Sequence, residues 1–226
     1  MTDRPVALIT GASRGIGLAV AKRLAATHDL LLGGRDAEAL AEAAGLPGAQ
    51  PWPVELTDAD ALAEATAQLS RLDVLVHSAG IAELGPLADT TADTWRRTFE
   101  LNVVAVAELT RLTLPLLRAA EGHVVLINSG AGLRANPDWG VYAASKFALR
   151  AYADVLRAEE TALRVTSIHP GRVATDMQRG VRTQEDGDYQ PDQYLTADSV
   201  AKAVLAAVRA DEDAHVTEIV VRPRPR

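Results

Sequence analysis

Short apolar runs alternate with longer amphipathic stretches from one end of the chain to the other. The runs fall at residues 6–10, 30–33, 51–54, 74–77, 123–128, 164–169 and 216–221, which reads as seven strands. Several show no polar–apolar alternation. Val124-Val125-Leu126-Ile127 is apolar throughout, the pattern of a strand covered by helices on both faces. Alanine-rich stretches lie between the runs, and strands separated by helices pair in parallel through crossover units. The expected architecture is α/β, with the sheet in the middle of the molecule.

Helix starts are marked by oxygen-bearing or acidic residues. Thr57 precedes a stretch at 58–69, Thr91 one at 92–117, and Thr196 with Asp198 one at 199–210; each sets a capping oxygen or an acid at the positive end of the helix dipole. No repeat, composition break or flexible linker divides the chain, so residues 1–226 are expected to form a single domain. The only long stretch without periodicity is 178–194, within a substrate loop expected at 177–195. It is expected to be a mobile lid.

Composition narrows the function. Hydrophobic residues make up 48% and charged residues 23%, the range of an ordinary globular protein. The absence of cysteine removes thiolate nucleophiles, disulfides and Cys-based metal sites, and points to a cytoplasmic protein. A net charge of −7 offers no field for nucleic acid or an anionic membrane, and no run is long enough to span a bilayer. The partner expected is a small molecule. The basic tail from Arg222 to Arg226 reads as a solvated terminus, and because the N-terminus passes straight into the first apolar run no signal segment is expected. His28, His77, His123, His169 and His215 are scattered without ligand spacing, so no metal is expected. Trp52 and Trp95 read as packing residues, and Trp139 as packing or as a pocket wall.

The first apolar run leads into Thr10-Gly11-Ala12-Ser13-Arg14-Gly15-Ile16-Gly17 and then an apolar stretch at 16–26. Glycines there let the backbone turn sharply and approach a pyrophosphate, whose charge suits the free N–H groups of the helix start. Strand, glycine loop and helix at the first crossover indicate a Rossmann-type doubly wound sheet of seven parallel strands with helices on both faces.

Tyr142 and Lys146 lie four apart in Tyr142-Ala-Ala-Ser-Lys146 and share one face of a helix. An ammonium there is expected to lower the phenol pKa toward working pH, and Ser129 at a strand end can hydrogen-bond the same substrate oxygen. Such a group handles a carbonyl. Ser129 has no nucleophile elbow around it, so a hydrolase triad is not indicated.

With Asn102 in Leu-Asn-Val, Ala79-Gly80 after the fourth strand and His169-Pro-Gly-Arg-Val-Ala-Thr175 beyond the sixth, the chain resembles the short-chain dehydrogenase/reductase family along nearly its whole length. The resemblance implies that Tyr142 is the general acid/base, Ser129 orients the substrate, Lys146 also holds the nicotinamide ribose, and Asn102 supports a proton-relay water. It implies a cofactor held by Gly11, Ser13, Arg14, Gly15, Ile16, Gly17, Arg35, Glu55, Leu56, Ala79, Gly80, Asn102, Tyr142, Lys146, Pro170, Gly171, Val173 and Thr175. The family's usual Asn-Asn-Ala-Gly is here His77-Ser78-Ala79-Gly80, and its Asp-Val is Glu55-Leu56.

Cofactor choice draws two signals. Asp36 stands where an acid takes the ribose hydroxyls of NAD, but it is also placed to cap a helix at 37–44. Arg35 and Arg14 supply two guanidiniums for a 2′-phosphate, so NADP(H) is preferred and NAD(H) remains possible. The expected function is an NADP(H)-dependent oxidoreductase interconverting a carbonyl and an alcohol, acting as a reductase. Two alternatives stay open: a catalytically silent dinucleotide-binding regulatory protein, and an epimerase or dehydratase using the cofactor transiently. Relatives pair through the helices holding Asn102 and Tyr142, implying a homo-oligomer, dimer or tetramer.

Overall fold

The computed structural model describes residues 4–211 and 213–224; the first three residues and Pro225-Arg226, part of the stretches read above as termini, lie outside it. Seven strands, Val6–Thr10 (β1), Asp29–Gly34 (β2), Ala49–Pro53 (β3), Val74–His77 (β4), His123–Ile127 (β5), Arg164–Pro170 (β6) and Glu218–Val221 (β7), form one sheet in the order β3-β2-β1-β4-β5-β6-β7. Every pairing is parallel; Leu8, for example, lies opposite Leu31 on one side and Leu75 on the other. The fold is the Rossmann-like doubly wound sheet that the pattern predicts.

Consecutive residues of the inner strands serve opposite cores, which is why their runs do not alternate. Ala7, Ile9, Leu30, Leu32, Val74, Val76 and Val125 pack on one face with Val20 and Leu24 of helix Gly15–Leu24 (α1), Leu40 of Ala37–Ala43 (α2) and Val200 and Val204 of Ala197–Val208 (α8). Leu8, Leu75, Val124, Leu126 and Val165 pack on the other face. There they meet Leu62 of Ala59–Ala67 (α3), Leu109 and Leu117 of Ala105–Ala119 (α5), and Leu149 and Leu156 of Gly140–Glu159 (α6). Each fully buried leucine contributes about 1.5–3 kcal/mol of transfer free energy, so the sheet is held from both sides.

Three helix expectations need correction. The cap of α3 is Asp58, whose side chain accepts from the Ala61 N–H at 3.0 Å, because Thr57 turns instead to the Glu55 carboxylate. The helix expected at 92–117 is Ala92–Phe99 (α4) and α5, joined by a π-helical turn at Glu100–Val104 in which the Ala105 N–H reaches back to the Glu100 carbonyl. The stretch expected as a loop at 178–194 begins inside a helix, Asp176–Gln184 (α7), and includes a further short turn at Pro191–Gln193. Thr175 caps α7 by accepting from the Gln178 N–H, and Val181 is buried, so one anchor and one cap suffice where periodicity is weak.

From β1 the chain winds outward to β2 and β3, then returns to place β4 on the other side of β1. That reversal opens a crevice at the carboxyl ends of β1 and β4, where ligands bind in doubly wound sheets.

Candidate active site

The turn after β1 is shaped by glycines. Gly11 has φ +64° and Gly15 φ +57°, and a Cβ on Gly17 would collide with the carbonyl of Gly11. Thr10, buried at the end of β1, accepts from the N–H groups of Ser78 and Ala79 at 3.0 and 3.1 Å and so clamps the β1 and β4 ends together. Sequence reasoning gave Thr10 no role; its position at the strand end facing a neighbouring loop was the available signal. Arg14 occupies the N-cap position of α1 without a side-chain capping bond, whereas α2, α3, α4, α7 and α8 are capped by Asp36, Asp58, Thr91, Thr175 and Thr196. The first N–H groups of α1 thus have no side-chain cap and suit an anion.

Beyond β5, Asn128 accepts from the Ser129 N–H at 2.8 Å and donates to the Lys146 carbonyl at 3.2 Å, clipping the strand end to α6. Ser129 then opens a tight turn at Gly130–Gly132, with its hydroxyl accepting from the Ala131 N–H. Tyr142, in the first turn of α6, is buried with its ring edge-on to Trp139 at 5.8 Å. Burial raises its pKa, while a hydrogen bond with Ser129 pulls it down by less. Lys146, one turn on, is also buried; its Nζ donates to the Ile127 carbonyl at 3.1 Å and lies 5.8 Å from the Tyr142 ring centroid. Burial brings the Lys146 pKa down to about 8. The expected lowering of the phenol is therefore corrected. Desolvation outweighs the Ser129 bond, and Tyr142 is protonated at neutral pH.

Asn102 sits in the π-helical turn, 1% exposed. Its amide spans Ile81, accepting from the N–H and donating to the carbonyl at 3.0 Å each, and also donates to Ser145 at 3.1 Å. Ala79 and Gly80 are thereby held at the mouth of the crevice, with a Cβ on Gly80 only 3.0 Å from the Asn102 Oδ1. His77, which replaces the family's asparagine, shares a hydrogen bond with Thr110 at 2.9 Å; burial lowers its pKa to about 3 and keeps it neutral. Among the described residues no cluster of His, Asp or Glu could hold a metal.

The sites expected at the far end of the crevice separate into two groups. Arg35, Val54 and Glu55 line an open depression of about 600 Å³ beside α3. Arg35 is 3.6 Å from Glu55, whose other oxygen receives Thr57, and Asp36 caps α2 by accepting from the Ala39 N–H at 3.0 Å. Leu56 is buried in the core. Arg14 points across the loop to Asp176 at 3.6 Å rather than toward Arg35's depression. Ser13 and Ile16 lie in the glycine loop and the start of α1. Beyond β6, Val173 packs into the core while Thr175 approaches Gly15, its Cγ2 3.5 Å from where a Cβ would stand. Pro170 ends β6, and Gly171 lies against Pro223. Within the basic tail Arg222 is exposed, yet it also donates to the His169 carbonyl at 2.9 Å and lies over Gly130, because β7 delivers it to the carboxyl edge of the sheet.

A parallel sheet wound in both directions, with a helix start lacking a side-chain cap at its reversal point, defines an α/β protein of the Rossmann class. Residues 5–186 match the short chain dehydrogenase family model, and the chain belongs to that family of oxidoreductases. Over 238 aligned residues it is 37% identical to glycine betaine reductase ATRR of Emericella nidulans, covering 97% of this chain but 19% of that protein. Among solved structures it is similar to an alcohol dehydrogenase from Thermococcus sibiricus complexed with 5-hydroxy-NADP. There the identity is 26%, the coverage 99% of this chain and 100% of that one, and the TM-score 0.88. Carveol dehydrogenase from Mycobacterium avium in complex with NAD gives 25% identity, 97% and 96% coverage and a TM-score of 0.86.

Proposed function

We propose that the chain is an NADP(H)-dependent reductase that converts a carbonyl to an alcohol. The observation that carries this reading is the group of Ser129 with the buried Tyr142 and Lys146, whose phenol is kept protonated by desolvation. Reduction needs an acid beside the carbonyl oxygen, and a phenol that keeps its proton at neutral pH is that acid.

The residues present fit a dinucleotide. Gly11, Gly15 and Gly17 leave a cradle that side chains would fill, and the N–H groups at the start of α1 carry no side-chain cap for a pyrophosphate to displace. Ala79, Gly80, Pro170, Gly171 and Thr175 border the crevice, and Lys146 suits the ribose nearest the chemistry. When bound, the reduced nicotinamide supplies a hydride to the carbonyl carbon. Ser129 orients the carbonyl oxygen by hydrogen bonding, and Tyr142 gives that oxygen the proton that completes the alcohol. Asn102, whose side chain is committed to Ile81 and Ser145, acts by positioning the mouth of the crevice.

Preference for NADP(H) is supported by Asp36, which is occupied as a cap and leaves the exposed Arg35 beside the strand end. We read the chain as one cofactor-binding and catalytic unit acting in the cytoplasm; no helix of the described residues is long and apolar enough to cross a membrane. Exposed Val104, Phe147 and Val155 support pairing of copies into a homo-oligomer, a dimer or tetramer. NADPH consumption against a panel of aldehydes and ketones tests the reading. Tight cofactor binding with no turnover on any of them would favour the silent regulatory alternative.

A further inference from the structure

The end of α7 carries a charged cluster that the hydride chemistry does not use. Glu185, just past the helix, receives both terminal nitrogens of Arg172 at 2.9 and 2.8 Å, Arg182 Nη1 at 2.6 Å and the Trp139 indole N–H at 3.2 Å. Four donors converge on one carboxylate. Arg182 is fixed further by donating its Nε to the Asp188 carbonyl, and it passes where any side chain on Gly187 would collide with it. Among the described residues neither arginine has another acidic partner, so two guanidiniums share one negative charge and the cluster keeps one positive charge. Their side chains are 35% and 25% exposed, and that of Glu185 only 17%.

This cluster borders the reaction site through Trp139. The Arg172 guanidinium lies over the Trp139 ring at 5.7 Å, and the same ring meets Tyr142 edge-on at 5.8 Å. Gln184, next to Glu185, donates to the Ala82 carbonyl and accepts from the Leu84 N–H at 2.7 Å, which draws α7 across to the segment following β4. Ala82, Leu84 and Trp139 pack against the small cluster of Ala131, Tyr142 and Ala143. A bidentate guanidinium and an indole N–H facing one carboxylate form a carboxylate-binding site, filled here by the chain's own side chain.

Resting on the reductase reading, we propose that the substrate is an oxo acid whose carboxylate replaces Glu185 on Arg172 and Arg182, with several carbons separating it from the carbonyl at Tyr142. The surplus positive charge favours an incoming anion, and the width of the Trp139 ring sets the spacing. Glu185 holds the site closed until such a substrate arrives, and its release frees the end of α7.

The test pairs a homologous series of oxo acids with their methyl esters on the cofactor-loaded enzyme, read by kcat/KM and by calorimetric binding. The acid of optimal length is expected to exceed its ester by at least about tenfold in kcat/KM, the factor that one charge-assisted contact supplies. That ratio should collapse in Arg172→Gln and in Arg182→Gln, while Glu185→Gln should lower KM for the acid. Esters turned over as well as acids, with the ratio unmoved by any variant, would reduce the cluster to a structural clamp and overturn the proposal while leaving the reductase reading intact. Acid binding that weakens in Arg172→Gln, without turnover of any compound, would support the site and overturn the reductase reading. If no acid binds or turns over, the proposal fails, while turnover of the esters or of neutral ketones leaves the reductase reading standing.

Discussion

Lys146 donates its ammonium to the backbone carbonyl of Ile127 across 3.1 Å, inside a pocket where burial alone brings its pKa from 10.5 down to about 8. The charged side chain therefore weighs against the folded state. Below pH 8 both folded and unfolded chains carry the proton and the cost is fully present. Between that point and 10.5 the unfolded chain binds more protons, so stability rises with pH relative to a chain lacking the amine. Denaturant unfolding of wild type and Lys146→Met at pH 7 and pH 10 should show the wild type gaining on the order of 2–3 kcal/mol relative to the variant. A difference that stays constant would mean that the ammonium is solvated.

The phenol makes the complementary prediction. With the Tyr142 pKa raised by burial, reduction should be flat across neutral pH because the acid form is already present. Alcohol oxidation, which needs the phenolate, should rise with pH toward the shifted value. Tyr142→Phe should lose at least about 100-fold in kcat in either direction, the lower end for a missing general acid. Initial rates across a buffer series decide it; parallel profiles for the two directions would remove Tyr142 as the proton donor.

Much of this was legible in the sequence, and the exceptions share a cause. The unbroken apolar runs announced a sheet covered on both faces because each residue pair there serves two cores. The glycine spacing and the Tyr142–Lys146 interval are local features that no tertiary contact had to supply. What sequence could not show was set by contacts distant along the chain. The helix α7 is anchored by Val181 and by Gln184 reaching Ala82, and Arg222 is drawn to His169 across β6 and β7. The phenol's direction was misjudged for the same reason: spacing places an ammonium near Tyr142, but only the fold sets its desolvation and gives Lys146 the Ile127 carbonyl.

The Gly11–Gly17 approach gives a steric prediction. A methyl group at Gly17 meets the Gly11 carbonyl, which belongs to backbone and has no rotamer to yield. Gly17→Ala should cost about 1–3 kcal/mol in stability, as overpacking does, and should open the loop that cradles the pyrophosphate. Fluorescence titration with NADPH should give a Kd raised by about tenfold or more. An unchanged Kd would show that the loop does not hold the cofactor.

The last prediction concerns the choice between the two nicotinamide cofactors. Asp36 is engaged with the Ala39 N–H, so presenting its carboxylate to ribose hydroxyls would uncap α2 at a cost of about 1 kcal/mol. Arg35 is 76% exposed and 3.6 Å from Glu55, a pairing loose enough for a phosphate to compete with. One guanidinium–phosphate contact contributes about 1.5–3 kcal/mol, so kcat/KM with NADPH should exceed that with NADH by at least about tenfold. Arg35→Ala should remove most of that margin through KM for NADPH, with the NADH value nearly unmoved, because NADH has no phosphate at that position. Arg14→Ala should cost less, since Arg14 points to Asp176 in this structure. Equal use of the two cofactors by the wild type, or an Arg35→Ala variant that keeps its discrimination, would place the 2′-phosphate away from Arg35.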